Sequence, residues 1–101
     1  MEEQRTVAAF IDEHDLDGEP AFRILDLAAE VGEIAAETTD STNYGAEPDN
    51  LAVATDEIGD ALFSLLAVAH SLDIDADEAL HESLEKYERR LTETGSAASG
   101  D

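Results

Sequence analysis

Residues 27–37 read LAAEVGEIAAE and residues 56–69 read DEIGDALFSLLAVA. Each stretch holds the same element, Glu30-Val31-Gly32-Glu33 in the first and Glu57-Ile58-Gly59-Asp60 in the second. The surrounding apolar residues recur at helical spacing, so both stretches are expected to be helices. Carboxylates three residues apart on a helix share a face, with Cβ atoms about 5–6 Å apart. Two such helices packed face to face would gather Glu30, Glu33, Glu57 and Asp60 into a site for a hard cation.

The pattern alone is weak, because 26 acidic residues in 101 give roughly six such pairs by chance. Its setting is stronger. Most acids here lie in polar stretches, whereas these four interrupt the most apolar segments of the chain. A buried charge must be paired or coordinate a metal, since desolvation otherwise costs too much. Each element also carries a glycine, which costs a helix about 1 kcal/mol relative to alanine. Close backbone approach at a shared site would account for that cost.

The chain length fits a single domain with one modest core. Without cysteine, neither disulfides nor thiolate metal sites are available. No run reaches the ~20 apolar residues that span a bilayer, and no charged-then-apolar leader precedes the first helix, so a cytoplasmic protein is expected. The net charge of −21 repels nucleic acid and anionic membranes, which excludes both as expected partners. A surface so acidic, with a single lysine, is that of a protein from a high-salt, halophilic cytoplasm, where screening removes the self-repulsion.

Working outward, residues 2–13 form a short helix candidate with Val7, Ala8, Phe10 and Ile11 as its apolar stripe. Pro20 suits the first turn of a second helix, about 20–38, whose core face reads Ile24, Leu25, Ala28, Val31 and Ala35. Residues 39–50, rich in Ser, Thr, Asn, Gly and Pro, read as a loop centred on Tyr44 and Gly45. A third helix is expected over about 51–71, with Ile58, Ala61, Leu62, Leu65 and Ala69 inward. Asp75 and Glu78 form a capping box for a fourth helix, about 76–93, with Leu80, Leu84, Tyr87 and Leu91 as its stripe. No strand alternation is present, so the expected fold is an all-α four-helix bundle over residues 1–93, with 94–101 as a disordered tail.

Three of the five basic residues, Lys86, Arg89 and Arg90, fall within five positions of one another near the end of the fourth helix. Cations there complement the helix dipole, but Lys86 and Arg89 also share a face suited to phosphate oxygens. A carboxylate-bridged di-iron bundle normally needs two Glu-x-x-His elements, and only Glu78 to His81 supplies one. A non-catalytic acidic binding protein fits the net charge but gives no reason for two Glu-x-Gly-acid elements in apolar helices.

Taken together, residues 20–92 resemble the MazG-type nucleotide pyrophosphohydrolases. Glu30 and Glu33 match that family's Glu-x-x-Glu helix, and Glu57 and Asp60 match its Glu-x-x-Asp helix after an intervening 23 residues. The Gly59-Asp60-Ala61-Leu62-Phe63 wording and the Asp73-Ile74-Asp75 turn match as well. The resemblance implies hydrolysis of nucleoside triphosphates to monophosphate and pyrophosphate by a homodimer or homotetramer. It implies Mg²⁺, with Mn²⁺ as a substitute, bound by Glu30, Glu33, Glu57 and Asp60, with Glu30 or Glu33 as the general base. Lys86 and Arg89 match the phosphate-binding positions, Arg23 and Tyr44 lie near the nucleotide-binding region, and Tyr87 departs from the Asn that many members carry. The alternative expectation is an acidic helical binding protein, or a regulator that binds nucleotide without cleaving it.

Overall fold

The computed structural model describes residues 1–94, and among these it contains helices and turns but no strand. Four α-helices follow in order: α1 (Glu2–Glu13), α2 (Pro20–Ser41), α3 (Thr55–Ser71) and α4 (Ala76–Thr94). A single 3₁₀ turn, Pro48–Asn50, interrupts the loop between α2 and α3. The fold is all-α. Thr94 closes α4, and the remainder of the expected tail, residues 95–101, lies outside the described residues.

α1 and α3 end in the same way. Asp15 and Asp73 adopt left-handed backbone, with φ of 53° and 55°. The next residue, Leu16 or Ile74, returns its N–H to the carbonyl of Ile11 or Ala69, five positions back. That is the Schellman termination, with aspartate in the place usually held by glycine and an apolar residue folding back on the helix. Pro20 opens α2 at its first position, where its missing N–H leaves no intrahelical bond unmade.

α2 and α3 form an antiparallel hairpin, and α1 packs on α3. Ile11 on α1 and Leu66 and Ala67 on α3 are buried, and the Phe10 ring meets the Phe63 ring edge-on with centroids 5.9 Å apart. On α2, Arg23, Leu27, Glu30, Ile34, Glu37 and Ser41 are partly covered, a stripe at alternating spacings of three and four. Two of the acids therefore lie on the face that α2 turns toward α3.

Most of the expected core face of α2 and α3 stays open, Ala61 and Ala69 being partly covered. Ile24, Leu25 and Val31 on α2 and Ile58, Leu62 and Leu65 on α3 are between 46% and 63% exposed. Both helices carry apolar side chains on two faces, and the chain's own packing uses the narrower one. The glycines need a matching correction. A Cβ added at Gly32 or Gly59 would meet nothing within 4 Å, so neither residue serves close approach within a single chain.

α2 runs three residues beyond its expected end because Thr38 and Thr42 stay within the helical hydrogen-bond pattern. Their hydroxyls donate to the carbonyls of Ile34 and Thr38 at 2.9 and 2.6 Å. Asn43, Tyr44 and Gly45 then take left-handed backbone in succession, with φ of 52°, 56° and 86°. Buried Thr42 anchors this turn, its Oγ1 accepting the Gly45 N–H at 2.9 Å and its carbonyl the Glu47 N–H at 2.8 Å.

Among the described residues, α4 has no extensive packing against another helix. It is held at its base. Asp75 Oδ1 accepts the N–H groups of Asp77 and Glu78, capping the first turn. From α1, Gln4 spans the same turn, donating to the Ile74 carbonyl at 2.7 Å and accepting the Ala76 N–H at 2.8 Å. Leu80, Leu84 and Leu91 are at least half exposed along its length.

Candidate metal centre

The α2–α3 hairpin brings one carboxylate from α2 against two from α3. Glu30, Glu57 and Asp60 each offer an oxygen, and these oxygens lie within 4.8 Å of one another. Glu30 and Glu57 are half-buried and Asp60 is exposed, so the group opens to solvent on one side. Three carboxylates at that separation repel unless a cation sits among them.

Glu57 carries the sharpest sign of a missing partner. Its Oε2 is buried and has no hydrogen-bond donor. Burial pushes its carboxyl above the usual value of 4.5, and the charges of Glu37, Asp56, Glu33 and Asp60 push in the same direction. An orphaned buried oxygen among like charges is costly in a helix hairpin with no other use for it. The donor set is all oxygen and carries no histidine, which suits a hard divalent cation such as magnesium, calcium or manganese. The residues present therefore fit a bound metal.

The other candidate residues fall in several places. Glu33 stands one turn beyond Glu30, exposed and outside the trio, yet near enough for its charge to act on Glu57. Tyr44 is 88% exposed at the tip of the left-handed turn after α2. Arg23 lies seven residues, about 10 Å of helix rise, from Glu30 toward the far end of the hairpin. Its guanidinium donates to the Leu16 carbonyl, and it lines a small cavity with Asp17, His70 and Asp73. Lys86 and Arg89 both belong to α4, with the Lys86 ammonium 5.1 Å from the centre of the Tyr87 ring and Arg89 exposed beside Glu85 and Glu93. The single chain thus gathers Glu30, Glu57 and Asp60 and leaves Lys86 and Arg89 on a separate helix. His81 lies on the exposed face of α4 with Asp77, Glu78 and Glu82, not in the carboxylate group.

One residue near the centre carried no signal in the motif. Glu37 is half-buried, and its carboxylate accepts the backbone N–H of Ala54 at the start of α3. Its place seven residues after Glu30, on the same helix face, was visible in the sequence; its partner was not.

No curated protein and no solved structure matches the chain significantly. The model of the MazG nucleotide pyrophosphohydrolase domain matches residues 1–94, a span that takes in α1 as well as the motif-bearing helices. With that match running from the first described helix to the last, the chain belongs to the MazG nucleotide pyrophosphohydrolase family.

Proposed function

We propose that the protein is a Mg²⁺-dependent nucleoside triphosphate pyrophosphohydrolase that cleaves (d)NTP to (d)NMP and pyrophosphate, in the manner of nucleotide-pool housekeeping. The observation that carries this reading is the grouping of Glu30, Glu57 and Asp60 around an unpartnered buried oxygen, in a chain of this family. Glu30, Glu57 and Asp60 would hold the metal, with Glu33 as a further carboxylate one turn along α2. The metal, when bound, neutralises polyphosphate charge and lowers the pKa of a nearby water. Glu33, which is outside the trio, takes a proton from the attacking water as general base; Glu30 is the alternative if it is not fully engaged. The water oxygen bonds to the α-phosphorus, the bond from that phosphorus to the bridging oxygen breaks, and pyrophosphate leaves. Lys86 and Arg89 bind phosphate oxygens, and Arg23 and Tyr44 contact the nucleotide.

The active form in this reading is a homodimer or homotetramer. The exposed apolar faces of α2 and α3 support it, since Ile24, Leu25, Val31, Ile58, Leu62 and Leu65 form a surface that water leaves uncovered at a cost. Gly32 and Gly59 lie open beside those residues, where a second copy could approach closely. Such an assembly could also bring α4 of one copy to the carboxylates of another. The net charge of −21 supports a high-salt cytoplasm as the working environment, and no described helix is long and apolar enough to cross a membrane.

The deciding experiment is incubation with Mg²⁺ at high salt and a panel of canonical and modified NTPs and dNTPs, with products separated by chromatography. Monophosphate plus pyrophosphate is expected, and EDTA should abolish it. Diphosphate plus orthophosphate would overturn the bond assignment. Nucleotide binding without any product would point to a regulator instead.

A further inference from the structure

α3 begins without a cap of its own. Its N-cap residue, Ala54, has no side-chain oxygen, and its backbone is extended at φ −68° and ψ 143°. The N–H of Ala54 is taken by a residue seventeen positions earlier: Glu37 accepts it through Oε1 at 2.8 Å, with Oε2 at 3.5 Å. One turn further along α2, Ser41 Oγ accepts the N–H of Ala52 at 3.0 Å. The chain entering α3 is therefore fastened to the side of α2 at two successive points. A carboxylate there also opposes the positive end of the α3 dipole.

These ties lie beside the carboxylate trio. Ala54 precedes Glu57 by three residues and Asp60 by six, while Glu37 follows Glu30 by seven on the same face. Sliding α3 along α2 would separate Glu30 from Glu57 and Asp60, by about 1.5 Å for each residue of slip. The fastening at Glu37 opposes that slide.

We propose that Glu37 is a positioning residue: by holding the Ala54 N–H, it sets the axial register of α3 against α2 and so the spacing of Glu30 from Glu57 and Asp60. This rests on the reading of those three carboxylates as a metal site. Glu37 itself is not one of the grouped ligands. Its contribution to the register is hydrogen-bond acceptance, which an amide oxygen reproduces; its charge acts on the α3 dipole and on Glu57 besides.

The test is Mn²⁺ binding by the full chain without nucleotide, read from the free-ion electron paramagnetic resonance signal at high KCl. Glu30→Gln gives the baseline for binding elsewhere on the acidic surface. Glu37→Ala is expected to weaken site binding by about 10–100-fold, the usual effect of removing an outer support. Glu37→Gln should stay within about threefold of the unaltered chain, because its side-chain oxygen accepts the same N–H. Ala54→Pro deletes the donor while φ of −68° already suits proline, so it should match Glu37→Ala. The double variant should be no weaker than either single one. If Glu37→Ala fails to fold by circular dichroism, Ala54→Pro and Glu37→Gln decide the matter. Ala54→Pro binding as tightly as the unaltered chain, or Glu37→Gln losing as much as Glu37→Ala, overturns the proposal. No difference between the unaltered chain and Glu30→Gln overturns the metal centre, and the positioning role with it.

Discussion

Replacing Thr42 by valine keeps the shape of a side chain that is only 4% exposed and removes its hydroxyl. Two hydrogen bonds go with it, the 2.6 Å donation to the Thr38 carbonyl and the 2.9 Å acceptance from the Gly45 N–H. Each is worth about 0.5–1.5 kcal/mol net. The Thr38 carbonyl keeps the Thr42 N–H at 3.1 Å, and Gly45 is exposed enough for water to replace its lost acceptor. The cost should therefore fall near the middle of the range, about 2 kcal/mol for the pair. In a domain of this size that lowers Tm by roughly 8–16 °C. The damage should be local, with the Gly45 amide exchanging hydrogen faster than in the unaltered protein. Because the turn presents Tyr44, KM for nucleotide should rise with kcat little changed if Tyr44 contacts substrate. Thr42→Ser keeps both hydrogen bonds and loses one buried methyl, so it should cost about 0.8 kcal/mol or less. Thermal melts and amide exchange on the three proteins provide the check. A Thr42→Val protein that melts within about 2 °C of the unaltered one, or a serine variant that falls further than the valine, would refute the reasoning.

Other substitutions probe the centre and the faces around it. Glu33→Gln should lower kcat by about 10²–10⁴-fold while Mn²⁺ binding persists, as for loss of a general base; full activity would sink that role. Glu57→Gln should stabilise the metal-free protein at neutral pH. The folded state holds the Glu57 proton to a higher pH than the unfolded chain, so stability falls as pH rises from 4.5 through the raised value, and the variant removes that fall. Melts in EDTA should show the two proteins diverging as pH climbs, and parallel curves would count against it. Gly32→Ala meets no neighbour in a single chain and should gain about 1 kcal/mol of helix stability, whereas Gly32→Leu should weaken self-association measured by sedimentation if a second copy packs there. Dilution from about 1 M to 0.1 M salt lengthens the screening distance from about 3 to 10 Å and should lower Tm markedly in a chain of charge −21, with Mg²⁺ restoring part of the loss.

The helices and their order could be read from the sequence because apolar spacing, Pro20 and Asp75 mark them directly. Their ends could not be placed as well. Thr42, in the stretch that suggested a loop after residue 38, instead bonds the backbone of α2, and α3 starts at Thr55 because Leu51 and Ala54 before it hold extended backbone, with ψ of 128° and 143°. The meeting of Glu30 with Glu57 and Asp60 followed from acids set in apolar runs. Which apolar face would be covered did not follow, since periodicity marks a face as apolar without saying what covers it. Ile24 and Leu62 look like core by that measure and are about half exposed here. The ties made by Glu37 and Gln4 were silent for another reason. In a chain so rich in acids, one more carboxylate or amide at helical spacing carries no mark of its distant backbone partner.

The Gln4 clamp turns α4 into a lever. From Ala76, which Gln4 holds, to Arg89 is thirteen residues, or about 20 Å of helix rise. With no extensive packing along that arm, a tilt of about 10° at the turn would carry Arg89 through roughly 3.5 Å, more than a hydrogen-bond length. Angular tolerance at a glutamine in α1 is thus multiplied into reach at the far end of the molecule. Docking of the arm on a neighbouring surface would convert that reach into a fixed position, and a change at residue 4 would be felt at residue 89.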